Sequence, residues 1–196
     1  MPKVGRSKSI FFRTISRRIF NMFYATRKAV PSDVPRLARL LEDYIRETYQ
    51  GAWGGTAELL ERHVSNNDVE ILVAESSEKE IIAFVAATIT YDLHRCMKGG
   101  EIIDFYVVPL YRGRGAAMFL IIDLAAEIER RGGKFLKGGA VENSSARRLY
   151  GRVAMCQPNG ECYISGRAFR HLAGLSGRPL REIVKNLPET AWNYEP

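Results

Sequence analysis

Apolar residues recur along the chain at two different spacings, which together predict an α/β fold. Apolar positions three or four residues apart predict a helix that runs to about residue 49, with Ser32 and Asp33 as candidate caps. Thr56 can cap a second, short helix that continues through Val64. A third helix is expected from Ala116 to the glycine pair that begins at Gly132.

Runs rich in β-branched and aromatic residues predict the strands. Residues 76–80 are expected to form a hairpin turn, and residues 92–100 are expected to form a loop that leads into the fourth strand. The predicted strands cover residues 22–30, 69–75, 81–91, 101–108, 135–142 and 161–165. After Gly166, residues 168–175 and 179–187 are patterned as two short helices.

The segment between the fourth strand and the third helix predicts an anion site. Pro109 ends the strand, and Gly113 and Gly115 precede the helix. The first amides of a helix have no intrahelical acceptor and carry partial positive charge, and glycine lets an anion approach without obstruction by a Cβ atom. Arg112 and Arg114 add full positive charges to this segment, which we call the phosphate loop (residues 112–117).

Two motifs in the chain resemble those of the GCN5-related N-acetyltransferases, the GNAT family. Arg112, Gly115 and Ala117 fit the signature R/Q-x-x-G-x-G/A, and residues 143–150 resemble the family's N-x-x-A-x-x-L/F-Y helix. The resemblance covers roughly residues 22–166 and implies a mixed, mostly antiparallel central sheet of six or seven strands with helices on both faces. It also implies that acetyl-CoA is the cosubstrate.

The resemblance also assigns roles to individual residues. The strand before the phosphate loop is implied to pair through its backbone with the pantetheine arm, and Tyr150 is implied to protonate the departing thiolate, for which a phenol is well suited. Asn143 can in addition cap its helix. The residues implied to bind the cofactor are Phe105, Tyr106, Val107, Arg112, Gly113, Arg114, Gly115, Ala116, Ala117, Asn143 and Ala146.

Asp104 is the first candidate for the general base. Residues 102–107 resemble a strand of the diamine acetyltransferase branch of the family, although Ile103 stands where that branch has Glu. Glu101 is the other carboxylate nearby, and strand alternation is expected to place it on the opposite face from Asp104. Asp92 and Asp104 are expected to attract a cationic amine, and the aromatic loop at residues 49–53 is a candidate wall of the acceptor site.

The composition is that of one domain with a full core. The 196 residues are 46% hydrophobic and 26% charged, and the longest apolar runs are too short to span a bilayer. The three cysteines, Cys96, Cys156 and Cys162, show neither C-x-x-C nor zinc spacing, so we expect buried thiols, no disulfide framework and a reducing, cytoplasmic location. No metal site is expected.

Positive charge is concentrated at the start of the chain, since residues 1–28 hold eight basic residues and no acidic one. Apolar residues interleave with these charges, so the segment can contact an anionic membrane or nucleic acid, or act as a transit peptide. The alternative is that residues 1–21 are an extension that the fold does not need, since Met22 leads the first strand. Residues 167–196 are expected to pack on the domain or on a second subunit of a homodimer.

Together with the family resemblance, these patterns predict an acetyl-CoA-dependent N-acetyltransferase that acts on a small primary amine, such as a polyamine or an amino-acid-like amine. Alternative acceptors are a protein amine or an aminoacyl-tRNA, the latter favoured by the basic segment. A third alternative is a non-catalytic, regulatory module that binds acetyl-CoA.

Overall fold

The computed structural model describes residues 24–140 and 144–188 of the chain. The basic segment up to residue 23, the short stretch 141–143 and residues 189–196 lie outside this description. The predictions made for residues 1–21, for Asn143 and for the C-terminal tail therefore concern residues that are not described.

Seven strands form one sheet in the order β1-β2-β3-β4-β5-β7-β6. Among the described strands, β4 and β5 are parallel neighbours and every other adjacent pair is antiparallel. The strands are β1 (Ala25–Lys28), β2 (Glu70–Glu75), β3 (Ile81–Asp92), β4 (Met97–Val107), β5 (Phe135–Gly139), β6 (Met155–Cys156) and β7 (Glu161–Ser165).

Helices cover both faces of the sheet, as the sequence predicted. One face carries the first two helices, whose apolar residues form a core with Val73, Phe84 and Tyr106. The other face carries the third helix, with Leu120 and Leu124 fully buried in the larger core. The helices are α1 (Val34–Tyr49), α2 (Ala57–Asn66), α3 (Ala116–Arg130), α4 (Ser145–Tyr150), α5 (Gly166–Ala173) and α6 (Leu180–Lys185).

Helix α5 packs against α3 within the same chain, and α6 contributes residues to the same core. Leu172 of α5 and Ile183 of α6 are fully buried and belong to the larger core. Their apolar faces are therefore covered without a second subunit.

Strand β4 begins earlier than predicted, because Met97 to Gly100 form strand rather than loop. A Cβ atom on Gly99 would lie 2.5 Å from the Phe135 ring, and one on Gly100 would lie 2.8 Å from the Ile128 side chain. The two glycines are therefore places where neighbouring side chains pack directly on the strand backbone, which is a role of glycine within strands that a loop-like Gly-Gly sequence conceals.

The expectation of three free thiols is wrong. Cys156 and Cys162 face each other across β6 and β7 and form a disulfide, whereas Cys96 is free and exposed. Strand β6 had no sequence signal because it is only two residues long, so the pairing that brings the cysteines together was not foreseen. In the part of the chain that the structure describes, no helix could cross a membrane and no cluster of three or more metal-ligating side chains occurs.

Candidate active site

A gap opens between the two parallel strands in the middle of the sheet. Strands β4 and β5 pair only from Gly100 and Leu136 to Ile102 and Gly138. Beyond this point β4 continues to Val107, while β5 ends at Gly139. The edge of β4 at residues 103–107 therefore has no neighbouring strand on that side within the described chain, although β3 still pairs with its other edge.

A β-bulge at Ile103 changes which side chains share a face of β4. Asp104 lies opposite Ala86 of β3, and Ile102 lies opposite Ala87, so Ile103 is an extra residue. Glu101 lies opposite Thr88, two positions along β3 from Ala86. Because residues two apart on a strand point to the same face, Glu101 and Asp104 share the face covered by α1. The expectation of opposite faces was wrong.

The two carboxylates on this face have different surroundings. The Glu101 carboxylate forms an ion pair of 3.1 Å with the Lys137 ammonium. Asp104 is half-buried, and burial raises the pKa of its carboxyl group while the neighbouring Tyr44 hydroxyl lowers it. A carboxylate whose pKa is raised toward neutrality is a better proton acceptor, so Asp104 remains the stronger candidate for the base.

Tyr150 lies on the other face of β4, beside the gap. It is the last residue of α4, only 5% of its surface is exposed, and its ring stacks on that of Phe105 with centroids 6.3 Å apart. It lines a narrow apolar cavity together with Ile102 and Gly138, the last paired residues of β4 and β5. Burial raises the pKa of the Tyr150 phenol, so the group is protonated at neutral pH and can donate a hydrogen bond.

Side chains of Asp104 and Phe105 point to opposite faces because they are adjacent on one strand. Asp104 therefore approaches the gap from the face of α1, and Tyr150 approaches it from the face of α4. A group held in the gap would have a proton acceptor on one side and a proton donor on the other.

The phosphate loop presents five consecutive amides with no acceptor in the described chain, those of residues 113–117. Gly113 and Gly115 have φ angles of 72° and 99°, a region that favours glycine. Gly115 is also the N-cap of α3, whose first amides point out of the helix. This arrangement fits a diphosphate, because free amides at a helix start stabilise negative charge.

The Arg112 guanidinium is engaged with α1 and with the end of β4. Its guanidinium makes two hydrogen bonds to the Glu47 carboxylate of α1, at 2.6 and 2.7 Å, and its Nε donates to the Val107 carbonyl at 2.8 Å. Arg114 is exposed, so its charge is accessible to a ligand. Sequence reasoning missed Glu47, since nothing in the pattern of α1 indicates a partner 65 positions away.

Helix α4 begins differently from the expectation. The Ser144 hydroxyl accepts a hydrogen bond of 3.0 Å from the Arg147 amide and so caps the helix. Ala146 is half-buried against the larger core. The cap predicted at Asn143 is therefore supplied by its neighbour in the sequence.

Asp92 does not share a groove with Asp104. Asp92 lies on β3, and Asp104 of β4 lies opposite Ala86 of β3. Asp92 and Ala86 are six positions apart, a separation of about 20 Å along the strand. Asp92 is also engaged, because its carboxylate pairs with Arg95 at 2.5 Å and accepts a hydrogen bond of 3.0 Å from the Tyr163 hydroxyl. The predicted pair of amine-binding aspartates is wrong.

Aromatic residues surround Asp104 on the α1 face. The ring of Tyr44 lies 6.0 Å from Tyr49 and 6.1 Å from Tyr106, measured between centroids. Tyr49 is 65% exposed, so this cluster reaches the surface. Trp53 packs partly buried against the core beneath α1 and α2.

A second cavity, of about 420 Å³, lies between β1, β2 and α3, and it is lined by Thr26, Glu70, Asp123 and Glu127 among others. Its charged groups are largely paired, as in the Lys28–Glu70 and Arg131–Glu127 ion pairs. It lies along the C-terminal half of α3, whereas the phosphate loop is at the N-terminus of that helix.

Comparison with known proteins agrees with this geometry. Residues 35–155 match the model of the Acetyltransferase (GNAT) family. No curated protein matches the sequence. Many solved structures are similar, and three of them, at 14 to 23% identity, show the fold alone.

Three of these structures illustrate the likeness. A ribosomal-protein-alanine N-acetyltransferase from Brucella melitensis biovar Abortus is 23% identical, with a TM-score of 0.58 over 69% of this chain and 94% of its own. An aminoglycoside acetyltransferase from an uncultured soil metagenomic sample, in complex with sisomicin, is 14% identical, with a TM-score of 0.55 over 66% and 86% of the two chains. A GNAT family N-acetyltransferase from Escherichia coli in complex with CoA is 17% identical, with a TM-score of 0.53 over 80% and 88%.

Proposed function

The chain belongs to the GNAT family of acetyltransferases, enzymes that take the acetyl group from acetyl-CoA, and we propose that its acceptor is the primary amine of a small molecule. One observation carries this proposal: Asp104 and Tyr150 approach the gap between β4 and β5 from opposite faces, next to the free amides of the phosphate loop.

The donor is proposed to lie along the open edge of β4. The amides of residues 113–117 would hold the diphosphate, and the backbone of Phe105, Tyr106 and Val107 would hold the pantetheine arm. The exposed Arg114 adds positive charge beside these amides. Ala146, which lies in helix α4 on the far side of the gap, is proposed as a further contact to the donor. Asn143 is proposed as a contact to the donor from the family motif alone.

Transfer forms a C–N bond and breaks the C–S bond of the thioester, and two protons must move. Asp104 accepts the proton that the amine loses, and Tyr150 donates a proton to the departing thiolate. The raised pKa of Asp104 makes it a stronger base, and the phenol of Tyr150 carries its proton at neutral pH.

The acceptor class follows from the charge and shape of the α1 face. Asp104 is a carboxylate on this face that can attract an ammonium group, and exposed Tyr49, next to Tyr44, offers an aromatic wall with a cation-binding face. A small amine such as a polyamine or an amino-acid-like amine fits these features. The polyamine subtype has less support, because Ile103 replaces the glutamate of the diamine branch and Asp92 lies far away.

A thiol-release assay with acetyl-CoA and a panel of diamines, amino acids, aminoglycosides and peptides tests the proposal. Turnover with small amines is expected, whereas turnover only with peptides would indicate a protein acceptor. Binding of acetyl-CoA without any turnover would indicate the regulatory module, and salt-sensitive binding of RNA would favour aminoacyl-tRNA.

Two variants test the assigned roles. Tyr150→Phe should lower kcat by about 10²-fold or more while CoA affinity stays nearly constant, with Tyr163→Phe as a matched control for loss of a buried phenol. Asp104→Asn should lower kcat by a similar factor, with Glu101→Gln on the same face as its control. An unchanged rate in Tyr150→Phe or in Asp104→Asn would refute the role assigned to that residue.

A further inference from the structure

The Arg112 side chain reaches away from the phosphate loop and toward α1. Besides its two hydrogen bonds to Glu47, its guanidinium carbon lies 5.4 Å from the centre of the Tyr106 ring. Its Nε donates to the Val107 carbonyl at the end of β4. Contacts to three different residues fix both the direction and the rotation of the guanidinium.

Glu47 is connected to both halves of the proposed active site. Its carboxylate accepts the two bonds from Arg112, and the Arg112 guanidinium lies over the Tyr106 ring. Tyr106 and Asp104 lie on the face of β4 that α1 covers, which we call the acceptor face. Glu47 lies in the last turn of α1, one turn after Tyr44, whose hydroxyl neighbours Asp104.

We propose that Glu47 is a positioning residue that holds the phosphate loop and the acceptor face of β4 in one fixed arrangement through Arg112 and Tyr106. The inference rests on the proposed function, and it adds that Arg112 acts on acetyl-CoA through the placement of the loop rather than as a ligand of the phosphates. Its positive charge is already neutralised by a carboxylate that binds it at two points.

The two possible roles of Arg112 predict opposite effects of removing Glu47. If Arg112 bound the phosphates directly, loss of the Glu47 charge would release the guanidinium and tighten CoA binding. If Glu47 instead keeps the loop in place, its loss lets the loop move, so CoA binding weakens. The sign of the change therefore distinguishes the two roles.

The experiment measures CoA affinity by calorimetry in the full-length chain, in three variants and in one control variant. Glu47→Gln and Arg112→Met are each expected to weaken CoA binding by about three- to tenfold, and the double variant by no more than the stronger single one, since all remove the same contact. The matched control is Asp43→Asn, which breaks an exposed ion pair with Arg46 on the same helix and should leave CoA affinity unchanged.

Steady-state kinetics provide a second readout. Glu47→Gln should raise the KM values for both acetyl-CoA and the amine, because the same carboxylate is connected to both sides, while kcat at saturation changes less than either. The temperature of unfolding serves to show that the variants are folded.

Equal or tighter CoA binding by Glu47→Gln would overturn the inference, as would additive losses in the double variant. Failure of the unmodified chain to bind CoA at all would instead overturn the proposed function. The two failures are thus separated by the behaviour of the unmodified protein.

Discussion

The Tyr44 hydroxyl should set the pH at which Asp104 becomes active as a base. Burial raises the pKa of the Asp104 carboxyl group, and the Tyr44 hydroxyl opposes this effect by stabilising the carboxylate. Tyr44→Phe removes the hydroxyl but keeps the ring, which packs with centroids 6.3 Å from Phe84 and 6.1 Å from Tyr106. The pKa of Asp104 should therefore rise further in the variant.

The size of the shift can be bounded from the type of bond that is lost. A hydrogen bond to a charged group contributes about 1.5 kcal/mol, and one pKa unit corresponds to about 1.4 kcal/mol. Because Asp104 keeps partial contact with solvent, we expect kcat/KM at a given pH on the acidic limb to fall by about three- to tenfold in the variant. The carboxylate is the active form of a base, so activity is lost as the pH falls through its pKa, and the acidic limb of the profile should move to higher pH.

The assay is kcat/KM for one amine, measured across the acidic limb for the parent chain and for the variant. The amine itself titrates, but it does so equally for both enzymes, and the difference between their profiles reports on the protein. Tyr91→Phe, an exposed residue near the far end of β3, is the matched control. An acidic limb that stays in place or moves to lower pH would show that Tyr44 does not stabilise the Asp104 carboxylate.

Three further predictions concern stability. Hydrogen bonds from Arg130 lower the pKa of Glu127 to about 2, so the stability that Glu127 contributes is present above its unfolded pKa of about 4.5 and is lost as the pH falls toward 2. Glu127→Gln should cost about 1 kcal/mol at neutral pH and flatten acid unfolding between these values, as followed by circular dichroism. Unchanged acid unfolding in the variant would contradict the assignment. Gly100→Val should cost about 1–3 kcal/mol in urea unfolding, because its Cβ would lie 2.8 Å from Ile128, and full stability would show that the strand can shift. Alkylation of the unreduced protein should modify one thiol, that of Cys96, and three modified thiols before reduction would exclude the disulfide. Cys156→Ser should lower the free energy of unfolding by about 2 kcal/mol.

The sequence predicted those features that depend on neighbours along the chain. The helix that starts after Gly115 and the strand of residues 161–165 follow from local spacing and capping, and both are confirmed. The sheet with helices on both faces, which the family resemblance implied, is confirmed as well. The family motifs drew attention to Tyr150 and to the phosphate loop.

Features that depend on pairing between distant segments could not be predicted in this way. The bulge at Ile103 exists only relative to the register of β3, and it reversed the expected relation between Glu101 and Asp104. The bond between Glu47 and Arg112 joins residues whose spacing carries no periodic signal. The disulfide likewise depends on a two-residue strand that no local pattern marks.

The early separation of β4 from β5 divides the sheet into two leaves. Strands β1 to β4 form one leaf and β5, β7 and β6 form the other, and only three residue pairs join them along the backbone. A pantetheine arm on the exposed edge of β4 would supply hydrogen bonds that a strand supplies elsewhere, in the manner of strand addition by a bound peptide. The donor would then act as a removable strand of the sheet, and a substrate bound there would connect the leaf that carries Asp104 to the leaf beside Tyr150.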